Sequence, residues 1–464
     1  MEQELHLKDS HYVMKDILPI VNERNGDFAL FFNESKTLFA YLFNRNKEKI
    51  GEISTKEVPR KYKVLLGYNI DNIGKKYTSF SSNNKRNSFL ATSFDFDSKL
   101  VVSKEIALPI DEEVFVQALN HNGSFILITI TKNSSILNFY SFKDSSAYVK
   151  NALELKDFAF LDKKGRKISL YKLLLDKPKL SFSKTSFEDL SFEMIDTSIP
   201  VPMEAASHAN KLYLFNNKAY FTFDGFDEVA QILSIDLENF EWGKRKIEKP
   251  IAKISTDEKK TNSFIFNENV FLISCTKRGL VFRIENLNSG VSVKEHSILV
   301  TEEIKINNTP IIQEGGMYDN YREFDRTDKF IRKVFASNVG LAINRYGENY
   351  EITVGGTKNI SSGAPMMMPM GGIPLATTSL GNLNLTLNYY YYYTSDKSIY
   401  FTGLFNSDFD HIDGEIGENS FNKIDNFKEN RRDRIFSETV FKYHNDILWG
   451  EYLPAKNTYV LRSF

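Results

Sequence analysis

Four carboxylates lie within one short acidic segment, DFDHIDGE. They are Asp408, Asp410, Asp413 and Glu415. Calcium and other hard cations bind several carboxylate oxygens from a single turn, so the segment predicts a calcium site. An EF-hand loop needs an oxygen ligand at its fifth position and a bidentate Glu at its twelfth, which here are Ile412 and Asn419. A solvated acidic loop is therefore the other interpretation.

A second set of carboxylates lies at predicted strand ends. It contains Asp95, Asp97, Asp224 and Asp227. Two carboxylates that meet in space can act as the acid and base of glycoside hydrolysis, and they need not be close in sequence. Acidic turns are also common for purely structural reasons, so glycoside hydrolysis by these four residues is a hypothesis.

Other catalytic patterns do not occur in the sequence. The seven histidines form neither an HExxH helix nor an HxH pair, and the chain lacks a GxSxG elbow and a GxxxxGK[ST] loop. The single cysteine, Cys275, lies in the apolar run VFLISC, which predicts a buried small side chain rather than a catalytic thiol. The sequence therefore favours a protein that is not an enzyme and has no cofactor, apart from the calcium hypothesis.

Composition excludes several classes of protein. The 464 residues contain 59 Lys and Arg against 60 Asp and Glu, and this balance argues against a nucleic-acid-binding protein. Hydrophobic residues make up 42% of the chain and aromatic residues 14%, which is enough to form a large core and argues against disorder. No apolar run approaches the roughly 18 residues of a membrane-spanning helix.

Alternating apolar and polar residues, interrupted by Asn, Asp, Gly and Lys turns, recur along the whole chain. This period of two predicts half-buried antiparallel strands. The units that begin at Asn210 and Asn262 each contain four successive strands, and their starts lie 52 residues apart. We therefore predict one domain, residues 1–464, built from repeated four-stranded units.

Repeated four-stranded antiparallel units resemble those of β-propellers, with kelch-like and other divergent bacterial propellers nearest in character. The segment SIDLENFEW, which ends at Trp242, resembles the kelch strand in which a Trp follows an acidic turn. The resemblance implies an all-β propeller with about seven blades, with six or eight left open. Two packed β-sandwiches are the structural alternative.

Two insertions interrupt the pattern, at 302–334 and 355–393. In the first, five apolar residues are spaced as on one face of a helix, which predicts a short amphipathic helix on the surface. These residues are Tyr321, Phe324, Phe330, Ile331 and Val334.

The second insertion is rich in Gly, Pro and Met and ends in five tyrosines, Tyr389 to Tyr393. Its composition predicts a long loop that binds a protein partner or contacts a membrane surface. The predicted partner-binding residues are Met366, Met367, Met368, Met370, Ile373 and Leu375. In the alternative interpretation the loop covers a blade or plugs the central channel, and the tyrosines form an ordinary strand.

The N-terminus lacks the basic and apolar regions of a secretory signal, which predicts a cytoplasmic protein. Strands rich in Asn, Ser, Thr, Tyr and Phe are more typical of bacterial envelope proteins. We therefore expect a periplasmic or outer-membrane-associated protein if a leader was removed, with the cytoplasm as the alternative.

These patterns together favour a non-enzymatic recognition or scaffold subunit of a bacterial assembly, with a place in the cell envelope. A carbohydrate-active propeller enzyme or a glycan-binding protein is the alternative. A funnel with two convergent carboxylates would favour the enzyme, and a blocked axis with apolar outer loops would favour the scaffold.

Overall fold

Strands dominate this computed structural model from end to end. The structure describes all residues except 1, 7–15, 35–36, 57–58, 60, 63, 146, 176–191, 251–257, 316–320, 359–383, 396 and 432–434. Within the described ranges the chain forms seven sheets of four or five strands and one two-stranded ribbon. We refer to the sheets by their order along the chain.

The N-terminal strand β1 (Glu2–His6) belongs to the seventh sheet, and the next twelve strands form three antiparallel sheets. The first sheet contains β2 (Asp16–Val21), β3 (Phe28–Glu34), β4 (Thr37–Phe43) and β5 (Lys49–Lys56). The second contains β6 (Val64–Ile70), β7 (Lys76–Ser82), β8 (Phe89–Asp95) and β9 (Leu100–Ile106). The third contains β10 (Glu113–His121), β11 (Ser124–Thr131), β12 (Ile136–Phe142) and β13 (Tyr148–Glu154).

The connection to the fourth sheet contains a ribbon and two short helices. In chain order these elements are β14 (Phe160–Leu161), β15 (Lys167–Ile168), α1 (Leu170–Leu175), β16 (Glu193–Ile195) and α2 (Met203–Ser207). The fourth sheet contains β17 (Asn210–Phe215), β18 (Lys218–Phe223), β19 (Val229–Asp236) and β20 (Trp242–Glu248). Strand β16 adds to its first strand in parallel, with Glu193 opposite Lys211. The fifth sheet contains β21 (Lys260–Phe266), β22 (Asn269–Thr276), β23 (Gly279–Asn286) and β24 (Ser292–Leu299).

The sixth sheet does not follow chain order. Its elements are β25 (Ile311–Glu314), β26 (Arg322–Phe324), α3 (Thr327–Phe335), β27 (Asn338–Tyr346), β28 (Asn349–Lys358), α4 (Leu385–Ser395) and β29 (Lys397–Phe405). The strand order is β26-β25-β29-β28-β27, so the first two strands in the chain form the far edge of the sheet.

The seventh sheet joins the two ends of the chain. Helix α5 (Ser420–Glu429) leads into β30 (Phe436–Tyr443), β31 (Asp446–Leu453) and β32 (Thr458–Ser463). Strand β1 then pairs antiparallel with β32, with Glu2 opposite Arg462 and His6 opposite Thr458. This pairing closes the ring of sheets, and the predicted all-β propeller of antiparallel sheets is confirmed.

The strands differ in burial according to their position in a sheet. Contacts join β2 to β30, β6 to β10 and β21 to β27, so these strands lie on the inside of the ring. By contrast, the last strands β9, β13 and β24 are largely exposed. Apolar side chains fill the space between neighbouring sheets: Phe28 stacks on Phe43 at a ring separation of 4.9 Å and contacts Tyr443 at 5.3 Å. Burial of each such ring contributes about 2 kcal/mol.

The first insertion forms a helix, as predicted, but its position differs from the prediction. Phe330, Ile331 and Val334 of α3 are completely buried, because the helix packs against β22 and β29 rather than lying on the surface. Phe324 belongs to β26, and Tyr321 precedes that strand with 57% of its surface exposed. The helix therefore begins at Thr327, after Tyr321 and Phe324, which the spacing had assigned to it.

The tyrosine run was predicted to be a loop or a strand, and that prediction was wrong. Residues 385–395 form helix α4, in which Tyr389 and Tyr390 are both buried. Two neighbouring residues of a strand point to opposite faces, whereas neighbouring residues of a helix are only about 100° apart, so both can be buried by different neighbours on one side. Among the described helices, none is long and apolar enough to cross a membrane.

Candidate functional site: the axial channel

The inner strands of the ring surround its axial channel, and two segments of the chain pack against several of these strands. They are residues 192–207, which include β16 and α2, and residues 384–395, which include α4. We call these two segments the axial fill. Ligands of propellers often bind along the axis, so the contacts of the axial fill determine which chemistry is available there.

Residues 192–207 contact the inner strands of several sheets. The Gln117 side chain of the third sheet donates a hydrogen bond to the carbonyl of Phe192 (3.3 Å), and β16 pairs with the inner strand of the fourth sheet. The Val201 amide donates to the Asn344 side chain of the sixth sheet (3.2 Å). The Ser207 hydroxyl lies 2.7 Å from that of Thr357. The segment therefore crosses from one side of the channel to the other.

Helix α4 contacts both the first segment and the seventh sheet. The Tyr389 hydroxyl donates to the carbonyl of Met194 (2.8 Å), and the Asn384 side chain donates to Thr439 (3.1 Å). The Lys442 amide donates to the Thr386 hydroxyl (3.2 Å). These bonds satisfy polar groups that burial would otherwise leave unpaired.

A polar network fixes the other side of α4. The Tyr390 hydroxyl donates to the Asp425 carboxylate of α5 (2.5 Å) and accepts from the Lys428 ammonium (2.7 Å). Lys428 also pairs with Glu438 (2.8 Å), which accepts from the Trp449 ring nitrogen (2.6 Å). Burial raises the pKa of both Tyr390 and Asp425. The network therefore joins α4, α5 and the seventh sheet.

The most strongly buried charges lie beside the axial fill, between the fourth and fifth sheets. The Asp224 carboxylate lies 3.2 Å from the Lys211 ammonium and 3.1 Å from the Lys249 ammonium, and all three side chains are at most 1% exposed. Ser263 donates to the same carboxylate (2.7 Å). Burial alone would raise the pKa of Asp224, but Lys249 and Lys211 together lower it below its ordinary value.

Asn262 connects this charge cluster to the axial fill. Its side-chain oxygen accepts from Lys211 (2.7 Å), and its side-chain nitrogen donates to the carbonyls of Ser207 and Val339, each at 2.8 Å. Every contact of this residue is internal to the protein. The charge cluster is therefore connected to three sheets, and its role is structural.

Glu193 of the axial fill has an unusual ionisation. Burial, followed by the nearby Glu204 carboxylate, raises its pKa to about 8, and the Lys211 ammonium opposes this shift. A carboxyl group with such a pKa is mostly protonated at neutral pH. Perturbed pKa values occur at catalytic sites, but they also arise from structural burial, as here beneath α4.

The residues of the predicted calcium loop are placed as follows. The Asp410 carboxylate forms an ion pair with Lys294, and the Asp410 amide donates to Asn406 (2.9 Å). Asp408 is exposed, and its amide also donates to Asn406 (3.0 Å). Within the described ranges, which contain this loop, no three His, Cys, Asp or Glu side chains come together in an arrangement that could hold a metal ion. Calcium binding stays a prediction.

The strand-end carboxylates belong to two different sheets. Asp95 and Asp97 lie in the β8–β9 turn of the second sheet, where the Asp95 carboxylate accepts from its own turn amides. Asp224 and Asp227 lie in the β18–β19 turn of the fourth sheet, where the first is ion-paired and the second accepts from Thr261 (3.2 Å). The carboxylates of Asp95, Asp224 and Asp227 thus have local partners that explain their positions.

Two predictions remain: the burial of Cys275, which is confirmed, and the six partner-binding residues, which lie outside the described ranges. Cys275 is completely buried, and burial raises its pKa to about 12, as expected of a small apolar side chain. The predicted partner-binding residues of the second insertion all fall within 359–383 and lie outside the described residues. They are Met366, Met367, Met368, Met370, Ile373 and Leu375.

Sequence reasoning missed the two buried lysines and the axial role of residues 192–207. Lys211 occurs in NKLYLF, where it resembles an ordinary polar residue of an alternating strand. The only available signal for the axial segment was its interruption of the strand pattern by Pro200 and Pro202, which favours an extended path.

Comparison with known proteins gives similarity at the level of fold only. No protein-family model matches the chain, and no curated protein matches it by sequence. Among solved structures, the WD40 domain of SCAP from fission yeast is 10% identical, with 100% of this chain and 87% of that chain covered and a TM-score of 0.31. Hsv2 from Kluyveromyces lactis is 9% identical, with 97% and 98% covered and a TM-score of 0.32.

An enzyme also occurs among the similar structures. The dihydro-heme d1 dehydrogenase NirN is 9% identical, with 59% of this chain covered and a TM-score of 0.27, and this chain spans 45% of its length. These low scores carry no argument about function, and the fold assignment rests on the sheets themselves. The chain is a divergent β-propeller that matches no specific family.

Proposed function

We propose that this propeller is a non-enzymatic recognition or scaffold subunit of a larger protein assembly. The axial fill is the observation that carries the proposal. Both segments pack against inner strands: the Gln117 side chain donates to the carbonyl of Phe192, the Asn384 side chain donates to Thr439, and Tyr389 and Tyr390 are buried. A ligand at the axis would have to displace the protein's own helix, so the outer surfaces are favoured for recognition.

The exposed apolar side chains on the outer strands support this proposal. Leu100 and Val102 lie on the same face of β9 with exposures of 61% and 60%, and Val291, which precedes β24, is 62% exposed. Apolar side chains on exposed edge strands are suited to burial against a protein partner.

We further propose that the second insertion contributes to the interface and that the assembly belongs to the bacterial cell envelope. The composition of residues 363–380 supports the first part, since it combines four Met with Ile and Leu. Fractionation of the native cells tests the second part, and recovery of the protein only with cytoplasmic markers would contradict it.

Affinity isolation of the full-length tagged protein tests the proposal directly. The test compares the wild type with a variant in which Gly363 to Leu380 are replaced by a Gly/Ser linker. We expect stable protein partners with the wild type and their loss with the linker variant, because the linker removes the apolar contact area.

Two matched variants test whether partner binding depends on the apolar character of the methionines. Substitution of the four methionines by Leu preserves apolar area and should retain the partners, whereas substitution by Gln should release them. The methionines are Met366, Met367, Met368 and Met370. A protein that stays monomeric and partner-free in every form would contradict the scaffold proposal, and glycan screening would then test the carbohydrate alternative.

A further inference from the structure

Six exposed lysines lie on three neighbouring elements at the outer side of the third and fourth sheets. Three belong to the β14–β15 ribbon, one to α1 and two to β20. They are Lys163, Lys164, Lys167, Lys172, Lys244 and Lys246. We call this surface the lysine patch.

Backbone contacts bring the ribbon and β20 together. The Lys244 ammonium donates to the carbonyl of Asp157 (2.5 Å), and the Lys246 ammonium donates to that of Ala159 (2.6 Å). Lys246 also lies over the Phe158 ring, 5.6 Å from its centroid. The two lysines are two residues apart on one face of β20, and the two carbonyls have the same spacing along the chain.

The ribbon is also fixed to the fourth sheet by a side chain. The Gln231 amide of β19 accepts from the backbone nitrogen of Leu161 (2.7 Å) and donates to its oxygen (3.0 Å). Because Gln231 is completely buried, these bonds hold the ribbon in one position. The lysines of the ribbon therefore keep a constant distance from those of β20.

The charge of the patch is not neutralised within the described part of the chain. None of the six lysines forms an ion pair there, and Asp162, the acid of the ribbon turn, is already paired with Arg166 (2.6 Å). The pKa of Lys246 is lowered, first by partial burial and then by the neighbouring cations Lys167 and Lys244. Such mutual repulsion is relieved when an anion binds.

Part of the patch is concave. A shallow open cavity of about 540 Å³ is lined by two of the lysines together with Asn133, Ile168 and Ser169. Ammonium, amide and hydroxyl groups next to an aliphatic side chain can hold one or two carboxylate side chains.

The edges of the patch limit the size of its ligand. Asp157 and Glu241 are exposed beside Lys244, and Glu154 is exposed at the end of β13. A nucleic acid or an anionic membrane extends far beyond six lysines and would cover these carboxylates, which repel it. We propose that the lysine patch binds a short acidic segment, rich in Asp and Glu, of a partner protein. This inference rests on the proposed scaffold function and names the chemical class of its partner.

Fluorescence anisotropy with a labelled peptide of alternating Glu and Ser tests the inference on the full-length protein at low ionic strength. The variant Lys163→Glu/Lys167→Glu/Lys172→Glu should weaken binding about tenfold or more, because three favourable charge pairs become repulsive. The matched control Lys99→Glu/Lys104→Glu/Lys143→Glu makes the same change in net charge at exposed sites of the second and third sheets. It should change the affinity less than about twofold.

Several outcomes would overturn the inference. These are failure of the peptide to bind the wild type, equal weakening by the control variant, and tighter binding of anionic phospholipid vesicles or of single-stranded DNA than of the peptide. If the Glu variant unfolds, the corresponding Lys→Gln variant takes its place, and a loss of affinity less than about twofold would count against the inference. The scaffold proposal has a separate readout: partners that survive the charge reversals in affinity isolation would refute the patch alone.

Discussion

Asp224 shows how charge is handled inside this protein. One carboxylate is enclosed with two ammonium groups, and hydrogen bonds join it to Ser263 and join Lys249 to Thr261 and to backbone carbonyls. A buried ion pair adds little to stability compared with apolar residues of the same volume, but removal of one partner leaves an uncompensated charge. The cluster is therefore sensitive to the loss of its single acid.

Asp224→Asn should lower the free energy of unfolding by about 3 kcal/mol, because Lys211 and Lys249 then lie buried without a counter-ion. Urea denaturation at neutral pH measures this effect. Asp227→Asn, in the same turn but exposed, is the control and should change stability by less than about 0.5 kcal/mol. Equal stability of the two variants would show that the cluster is not a structural core.

The pH dependence of this contribution has a definite sign. The pKa of Asp224 is lower in the folded protein than its ordinary value, so its stabilisation is present above that ordinary value, about pH 4. The stabilisation is lost as the pH falls further, through the lowered folded value. The stability difference between the wild type and Asp224→Asn should therefore shrink only in that acidic range.

At the residue scale, the sequence predicted what depends on local composition. Cys275 is buried, as its apolar neighbours indicated. The partners of Lys211 come from residues 13 and 51 positions away in the chain, Asp224 and Asn262, and no local pattern contains such pairings.

Helix α4 shows why the tyrosine run was misjudged at the scale of elements. Tyrosine favours strands, but five in succession would place bulky rings on both faces of a strand. Neighbouring segments instead provide hydrogen-bond partners on several sides of α4, namely Met194 of β16 for Tyr389, Asp425 of α5 for Tyr390 and Asn419 at the start of α5 for Tyr393. Tertiary contacts thus override the intrinsic preference of the residues.

Tyr390→Phe should destabilise the protein by about 2 kcal/mol, since Asp425 and Lys428 each lose a buried partner. Thermal unfolding followed by circular dichroism measures the loss. Tyr346→Phe removes a hydroxyl from a residue of β27 that is 44% exposed, and should have an effect below about 0.5 kcal/mol. If Tyr390→Phe left the stability unchanged, this network would not be what holds α4 in place.

The order of strands in the sixth sheet could not be predicted from period-two patterns. Alternation is visible in the sequences of β27 and β29. The far edge of that sheet is formed by β26 and β25, and β25 pairs with β29 across 84 residues at Glu314 and Ser398. Alternation identifies a strand but carries no information about its distant neighbour.

At the scale of the whole molecule, the repeat was predictable because strong turns mark it. The unit at Asn210 coincides with the fourth sheet, and the turn Asn122–Gly123 has positive φ at both residues, as a tight hairpin requires. In the first sheet the inner strand β2 is not marked by alternation, because its DILPIV sequence is too uniformly apolar to alternate. The closing pair of β1 and β32 joins the opposite ends of the sequence and was not visible in any single unit.

Deletion of residues 1–6 should lower the free energy of unfolding by about 3 kcal/mol, because β32 loses its ladder partner and becomes an exposed edge. Chemical denaturation measures this loss. A synthetic peptide of residues 1–12 should restore stability when added to the shortened protein, and a scrambled peptide should not. Unchanged stability after the deletion would contradict closure by β1.

A larger deletion tests the ring itself. Removal of Thr439 to Phe464 eliminates most of the seventh sheet, and we expect it to abolish soluble folding because each sheet buries its faces against two neighbours. A truncated protein that stayed folded and monomeric would contradict a closed propeller.

The axial fill also sets the order of assembly during synthesis. Residues 192–207 and 384–395 leave the ribosome before β32, so both segments are present before the strand that closes the ring exists. We therefore expect both segments to be in place before β32 closes the ring, and resistance of the nascent chain to proteolysis to rise only after β32 has left the ribosome.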